Sequence, residues 1–198
     1  MIKFVNLKQD IPYLLFLEKY KDALNKNQRN IEAISISSFN FTSREVESRF
    51  VNLKLIDENK FIFFSNYNSP KSVAFDSHNQ ISVCIYWPSI NLQIRMKAQI
   101  RRTSKKFNQE YFKTRSKNKN ALAISSNQSS KISCYDLVVE KYEKVKLDSE
   151  LSSCPSYWGG FSFIPYEIEF WQGHKFRLNK RDLYKKSDNG WEHLILEP

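Results

Sequence analysis

From Leu92 to Arg101 the chain alternates without a break: Leu92, Ile94, Met96, Ala98 and Ile100 are apolar, while Gln93, Arg95, Lys97, Gln99 and Arg101 are polar. Successive side chains of a strand point to opposite faces, so a run of period two separates its apolar set only as a β-strand. One face of that strand must be core, and the other must meet something polar. Ala33 to Ser38 repeats the pattern, with Ile34 and Ile36 against Ser35 and Ser37, and Arg49 to Leu55 sets Val51, Leu53 and Leu55 on one face. Phe61 to Phe64, Ile81 to Trp87, Phe161 to Ile164 and Ile168 to Trp171 add further strands. Asp188-Asn189-Gly190 predicts a tight turn that folds Leu183-Tyr184 back onto Trp191 to Leu196.

Helices are signalled between these strands. Asp10, Ile11 and Pro12 form a helix start, with an acceptor at the cap and proline where no amide donor is needed, and predict a leading helix over about 10–25. Ser69-Pro70 opens a short helix, Lys71 to about His78, with Ser69 as the N-cap. Ser104 caps a helix through Arg115, on which Phe107, Tyr111 and Arg115 fall four apart and share a face. The polar stretch Lys117 to Ser130 carries a short helix at Ala121 to Ile124, and a longer one follows near Cys134 to Lys146. Neither an internal repeat nor a linker interrupts the pattern. The expectation is one domain over residues 1–198, a mainly β, antiparallel barrel with helices at its ends.

Composition narrows the partners. Of 198 residues 41% are hydrophobic and 15% aromatic, which is ample apolar mass for a barrel core and a subunit interface. Lys plus Arg total 31 against 21 Asp plus Glu, a net charge of +10 that suits an anionic partner. Nucleic acid is not expected, because the chain has neither an aromatic stacking signature nor a Cys/His finger spacing, and the basic cluster at Arg101, Arg102, Lys105 and Lys106 reads as a solvated turn. Cys84, Cys134 and Cys154 are odd in number and lack a close pair, which argues against a disulfide framework and structural zinc and for reduced thiols in a cytoplasm. No metal site and no membrane partner are expected, since the apolar stretch Tyr13 to Leu17 is far too short to span a bilayer and no leader precedes it.

Seven local words then occur in order: Arg49 to Lys54, Phe64-Ser65-Asn66 leading to Ser69-Pro70-Lys71, Gln93-Ile94-Arg95, Gln128-Ser129-Ser130, Trp158-Gly159-Gly160-Phe161, Glu169-Phe170-Trp171-Gln172-Gly173 and Arg177 to Arg181. As an ordered set over about Ile31 to Pro198 they resemble the pyridoxamine 5′-phosphate oxidase family. The resemblance implies an FMN-binding split β-barrel, a homodimer whose two flavin sites are built from both subunits, and oxidation of a phosphorylated pyridine alcohol or amine to the aldehyde by O2.

By the same resemblance the flavin is held by Arg49, Lys54, Phe64, Ser65, Lys71, Gln93, Gln128, Ser129, Trp171 and Arg181. The phosphorylated substrate falls to Lys54, Tyr111, Arg115, Lys119, Arg177 and Asn179, and Arg177 with Asn179 takes the catalytic, positioning role. Their chemistry suits the task, because FMN needs cations for its phosphate and amides and hydroxyls around an apolar slot. Taken singly, each residue has a plainer reading: a strand Arg is usually a solvated edge, and a Trp is usually core. One spacing resists the assignment. Arg49 and Lys54 are five apart, so in an ideal strand they face opposite ways, and both serve one site only through a bulge, twist or second subunit.

The pattern departs from the family at Pro70, where a second basic residue is usual, at Lys119, where serine is usual, and at Asn179, where histidine is usual. Asparagine hydrogen-bonds but takes up no proton near neutral pH. Two alternatives therefore stand beside the pyridoxine 5′-phosphate reading: an FMN-dependent oxidase of a dihydrophenazine-type aromatic, and a non-catalytic protein that binds flavin or pyridoxal phosphate.

Overall fold

The computed structural model describes residues 1–148 and 150–198. Strand β1 (Lys3–Val5) precedes helix α1 (Ile11–Asn25), which is followed by β2 (Ala33–Asn40), β3 (Glu45–Asn52), β4 (Leu55–Asp57) and β5 (Lys60–Asn66). Helix α2 (Pro70–Ser77) leads into β6 (Gln80–Trp87) and β7 (Leu92–Arg102). Helices α3 (Lys105–Lys113), α4 (Lys117–Ser125) and α5 (Asp136–Asp148) come before β8 (Trp158–Gln172), β9 (Lys180–Ser187) and β10 (Gly190–Leu196).

The alternating run is β7, and its inward residues Leu92, Ile94, Met96, Ala98 and Ile100 are at most 3% exposed. It lies inside a sheet whose hydrogen-bonded order is β1-β4-β5-β8-β7-β6-β2-β3. All ladders are antiparallel except that of β1 with β4, which is parallel and which periodicity does not reveal in so short a segment. Strands β3 and β4 are consecutive in the chain but lie at or beside opposite ends of this order. Leu53 and Lys54 alone join them, with Leu53 N donating to Glu32 O (2.8 Å) and Lys54 N to Ile62 O (2.9 Å). That corner curls the sheet around its core and places fully buried Leu53 inside. The strand expected over Arg49 to Leu55 therefore ends at Asn52 and begins earlier, at Glu45.

Strand β8 is where the barrel splits. Its first half pairs with β5 through Trp158–Phe163, and its second half pairs with β9 through Glu167–Gln172, while β7 runs along its other edge. The register against β7 steps from Lys97↔Glu167 to Ala98↔Pro165, so Tyr166 is the extra residue of a bulge. Proline has no amide to give a ladder, and a bulge is where a strand tolerates it. The two strands expected on either side of Pro165 are thus one bent strand. The C-terminal hairpin forms as expected, with Gly190 paired to Ser187 and carrying a φ of +116°, a value that side chains rarely adopt.

Helix α1 covers one part of the core, where Phe16 meets Phe61 edge-on at 5.3 Å and Trp87 at 5.6 Å. Helix α2 covers another through Phe75, 5.1 Å from Phe161. Capping follows the sequence at Ser104, whose hydroxyl accepts from Phe107 N (3.2 Å). It does not at Ser69, whose hydroxyl donates to Asn66 O (2.7 Å) and accepts from Lys71 Nζ (3.0 Å). Helix α4 begins at Lys117, four residues before the expected Ala121, and α5 begins at Asp136. No helix among the described residues is long and apolar enough to cross a membrane.

Candidate active site

A cleft of about 910 Å³ opens between the β3–β4 corner, the end of β5, the starts of α2 and β8, and the α3–α4 turn. Its aromatic side is a stack. The Phe64 ring lies parallel to Tyr111 at 3.7 Å and to Trp158 at 5.2 Å, within 8° in both cases. Arg115 lays its guanidinium 4.3 Å over the Trp158 ring, so the four-residue spacing of Tyr111 and Arg115 does bring both into one cleft. Arg115 Nη2 donates to Lys119 O (3.0 Å), but Nη1 is buried without a partner. Burial lowers the Arg115 pKa and raises that of the Tyr111 hydroxyl.

The cationic side is built from backbone geometry. Lys71 stands in the first turn of α2, 8% exposed, where burial and then the nearby Arg49 charge push its pKa down to about 8. Arg49 pairs in register with inward-facing Ile36, so it points to the mouth of the barrel, donating to Ser38 Oγ (2.7 Å) and pairing with Glu47 Oε2 (2.6 Å). Lys54 reaches the same region because the corner at Leu53 breaks the strand's alternation, which resolves the opposition between the two basic residues. Gln128 Oε1 accepts from Ser65 Oγ (3.2 Å) and Asn66 N (3.3 Å), pinning an amide at the end of β5.

Eight expected residues thus line one cleft: Lys54, Phe64, Ser65, Lys71, Tyr111, Arg115, Lys119 and Gln128. Arg49 adjoins it through its charge on Lys71. Ser129 is exposed beside Gln128, with a φ of +68°. Gln93, Trp171 and Arg181 are instead cross-strand neighbours in one row over β7, β8 and β9, and directly opposed side chains share a face. There Glu169 bonds both Arg95 and Arg181; burial would raise its carboxyl, but the two guanidiniums outweigh burial and hold it below its ordinary value. Arg177 and Asn179 occupy a third place, the turn before β9, where Arg177 is exposed with a φ of +63° and Asn179 Oδ1 accepts from His174 N (3.0 Å). One subunit therefore divides the expected set among a cleft, a sheet face and a turn.

Sequence reading missed Glu32, Glu110, Lys3 and Trp158, which also line the cleft. Only Trp158 carried a signal, in the Trp-Gly-Gly word. Glu32 meets Lys54 across 22 positions, and Lys3 arrives with β1, contacts that no local pattern encodes.

Two solved structures share the architecture. PhzG from Burkholderia lata 383, solved with tetrahydrophenazine-1-carboxylic acid, superposes with a TM-score of 0.88 at 23% identity over 94% of this chain and 92% of that one. A pyridoxamine 5′-phosphate oxidase-related, FMN binding protein from Nostoc punctiforme superposes with a TM-score of 0.74 at 14% identity over 91% of this chain and 96% of that one. The fold is that of the FMN-binding split barrels. Residues 158–198 match the pyridoxine 5′-phosphate oxidase C-terminal dimerisation region, which supports a homodimer. Pyridoxine/pyridoxamine 5′-phosphate oxidases from Hydrogenovibrio crunogenus and Christiangramia forsetii are 31% and 33% identical over 96% of this chain and 89% of each relative. The chain belongs to the pyridoxine/pyridoxamine 5′-phosphate oxidase family.

Proposed function

We propose that this protein oxidises pyridoxine 5′-phosphate or pyridoxamine 5′-phosphate to pyridoxal 5′-phosphate with O2, releasing hydrogen peroxide. Membership of the family makes it an FMN-dependent oxidoreductase; the substrate and the residue roles are our reading. The observation that carries it is a buried guanidinium nitrogen of Arg115 without a partner, beside Tyr111 and Lys119 in a cleft of about 910 Å³. A buried donor left unbonded costs about 1–3 kcal/mol, and an oxyanion supplied by a ligand removes that cost.

The residues also fit FMN. Lys71, nearly buried and held close to losing its proton, gains most from an anion such as a phosphate monoester. Ser65 and Gln128 offer polar groups, and the row Gln93, Trp171 and Arg181 from the partner subunit would complete the site. Bound FMN would supply the redox chemistry, uptake of a hydride from the substrate carbon and passage of the electrons to O2. The chain's own part is binding and orientation. Tyr111, Arg115 and Lys119 hold the substrate phosphate, while the stack of Phe64, Tyr111 and Trp158 excludes water from one side. Arg177, on its exposed turn, orients the reacting group of a substrate bound across the dimer. Arg177→Ala is expected to lower kcat/KM for pyridoxamine 5′-phosphate about 100-fold with FMN content unchanged. Turnover within threefold of the parent would remove Arg177 from the site.

Lys71 gives FMN binding a pH signature. Its pKa near 8 in the FMN-free protein means that the charge is present below pH 8 and lost above it. Affinity for FMN should therefore be flat just below pH 8 and fall above it, by up to about tenfold per pH unit while one proton is taken up on binding. Lys71→Arg, charged throughout, should abolish this falling limb. Flavin fluorescence titrations between about pH 6 and 10 read both results.

A second reading, oxidation of a dihydrophenazine-type substrate, is favoured by the residues at Lys119 and Asn179, since an asparagine in the turn before β9 hydrogen-bonds but takes up no proton near neutral pH. Purified protein assayed in air separates the readings. Pyridoxal 5′-phosphate and peroxide support the first, turnover only of a carboxylated aromatic supports the second, and bound flavin without peroxide from either marks a binding protein.

A further inference from the structure

On the sheet face that carries Gln93, Trp171 and Arg181, one carboxylate joins two guanidiniums. Glu169 lies on β8 directly opposite Arg95 of β7 and Leu183 of β9, and it is only 6% exposed. Its Oε2 accepts from Arg95 Nη2, and its Oε1 accepts from Arg181 Nε (2.8 Å), which reaches across diagonally from the next row. Arg181 is held a second time, by Nη1 donating to Glu197 O (2.8 Å). Two nitrogens of that guanidinium are thus tied to the protein, while Nη2 makes no hydrogen bond among the described residues. Glu169, buried and with each oxygen engaged by an arginine, offers a ligand almost no surface of its own.

We propose that Glu169 is a positioning residue for flavin binding: it sets the Arg181 guanidinium in one orientation, so that its free Nη2 edge is ready for the flavin held in the partner's cleft. This rests on the proposed role of the row Gln93, Trp171 and Arg181 at the flavin, and it adds a residue that meets no ligand itself. An arginine side chain has several rotatable bonds, and a guanidinium left loose on a sheet face must be ordered when a ligand binds, at a cost in affinity. A planar group fixed at Nε and Nη1 presents Nη2 in one direction only, and that ordering is complete before the flavin arrives. Strand pairing alone does not call for the carboxylate, since apolar side chains of similar volume commonly replace a buried ion pair without loss of stability. Arg95, on the other oxygen, helps to keep the carboxylate ionised in its buried position.

Fluorescence titration of FMN into the full chain stripped of flavin, near neutral pH, tests this. Arg181→Met should weaken FMN binding about 30-fold and Glu169→Gln about tenfold. With both changes the loss should stay within about twofold of that for Arg181→Met alone, because Glu169 acts through Arg181. Sign and additivity separate the rival roles. A carboxylate that merely diluted the positive charge would tighten FMN when neutralised, and general damage to the strands would multiply the two losses. Arg181→Lys tests the same point without touching the buried carboxylate, should Glu169→Gln fail to fold: it keeps the charge but not the fixed fork, and should lose about tenfold. The proposal is overturned if Glu169→Gln leaves FMN affinity within about twofold of the parent or raises it, if the two losses multiply, or if Arg181→Lys binds FMN as the parent does. If Arg181→Met itself leaves FMN affinity unchanged, the row does not serve the flavin and the underlying role falls with the proposal; if only the Glu169 variant is silent, the role of the row stands and the positioning falls.

Discussion

Lys71→Met is expected to weaken FMN binding by about 30- to 100-fold and, in the same protein without FMN, to raise its melting temperature. The first effect follows from losing charge-assisted hydrogen bonds to a phosphate, each worth about 1.5–3 kcal/mol. The second follows from the environment of the ammonium, which is 8% exposed, bonds Ser69 Oγ at 3.0 Å and lies close enough to Arg49 for that charge to oppose its own. Its pKa near 8 records how poorly the folded, flavin-free protein tolerates the charge. Methionine fills similar volume without it, and a gain of about 1 kcal/mol, or a few degrees, is the expected order for a chain of this size. Opposite signs distinguish a cation kept for a ligand from one kept for the fold. If the substitution destabilised the FMN-free protein and left flavin affinity alone, Lys71 would be a structural residue and the phosphate seat would lie elsewhere. Equilibrium dialysis against FMN and calorimetry of the stripped protein give the two readings.

How much of this was legible beforehand depended on whether the information was local. The alternation from Leu92 to Ile100 fixes a strand and its buried face because burial acts residue by residue along it. Tyr111 and Arg115 were placed together by helical spacing, and both reach the cleft. Contacts between distant segments were not legible. The bend of β8 at Pro165 reads as a break, because the residues that bridge it lie on β7. The turn of the chain at Leu53 reads as one continuing strand, because Val51, Leu53 and Leu55 keep a spacing of two in the sequence even though the chain changes partner from β2 to β5 and its inward face passes from Leu53 to Ile56. Glu32 followed neither route, since an acid just before a strand looks like any solvated edge until the corner delivers Lys54 to it.

The division of the site has the same origin. Gln93, Trp171 and Arg181 align in one row because three antiparallel strands put them in register, yet that row and the cleft occupy different parts of one subunit. We propose that a homodimer formed through the region 158–198, which the family match supports, brings a sheet face of one subunit to the cleft of the other. On that reading the ordered words in the sequence name both halves of a site that one chain holds apart, and flavin binding and dimerisation are linked, because a ligand that touches both subunits stabilises their association.

The Trp-Gly-Gly word predicts the second large effect, this time on stability. A Cβ at Gly159 would stand 2.2 Å from Tyr67 Oη and 2.3 Å from Asn108 Nδ2. Neither neighbour is free to move away. Asn108 Nδ2 donates to Tyr67 Oη (2.9 Å), its Oδ1 accepts from Gly160 N (2.9 Å), and Tyr67 Oη donates to Gly160 O (3.1 Å). Gly159→Val therefore overpacks the start of β8 and breaks a network around a buried asparagine, costs of about 1–3 kcal/mol each. A fall of about 10 °C in melting temperature is expected. Tyr67→Phe removes the nearest clashing atom, so in combination with Gly159→Ala it should cost less than the two single changes summed. Because Trp158 precedes this glycine and stacks on Phe64 at 5.2 Å, the Gly159 variants should also lose the ordered aromatic side of the cleft. Full stability with a valine at this position would mean that the glycine serves the approach of a ligand to the backbone and not the packing of the strand.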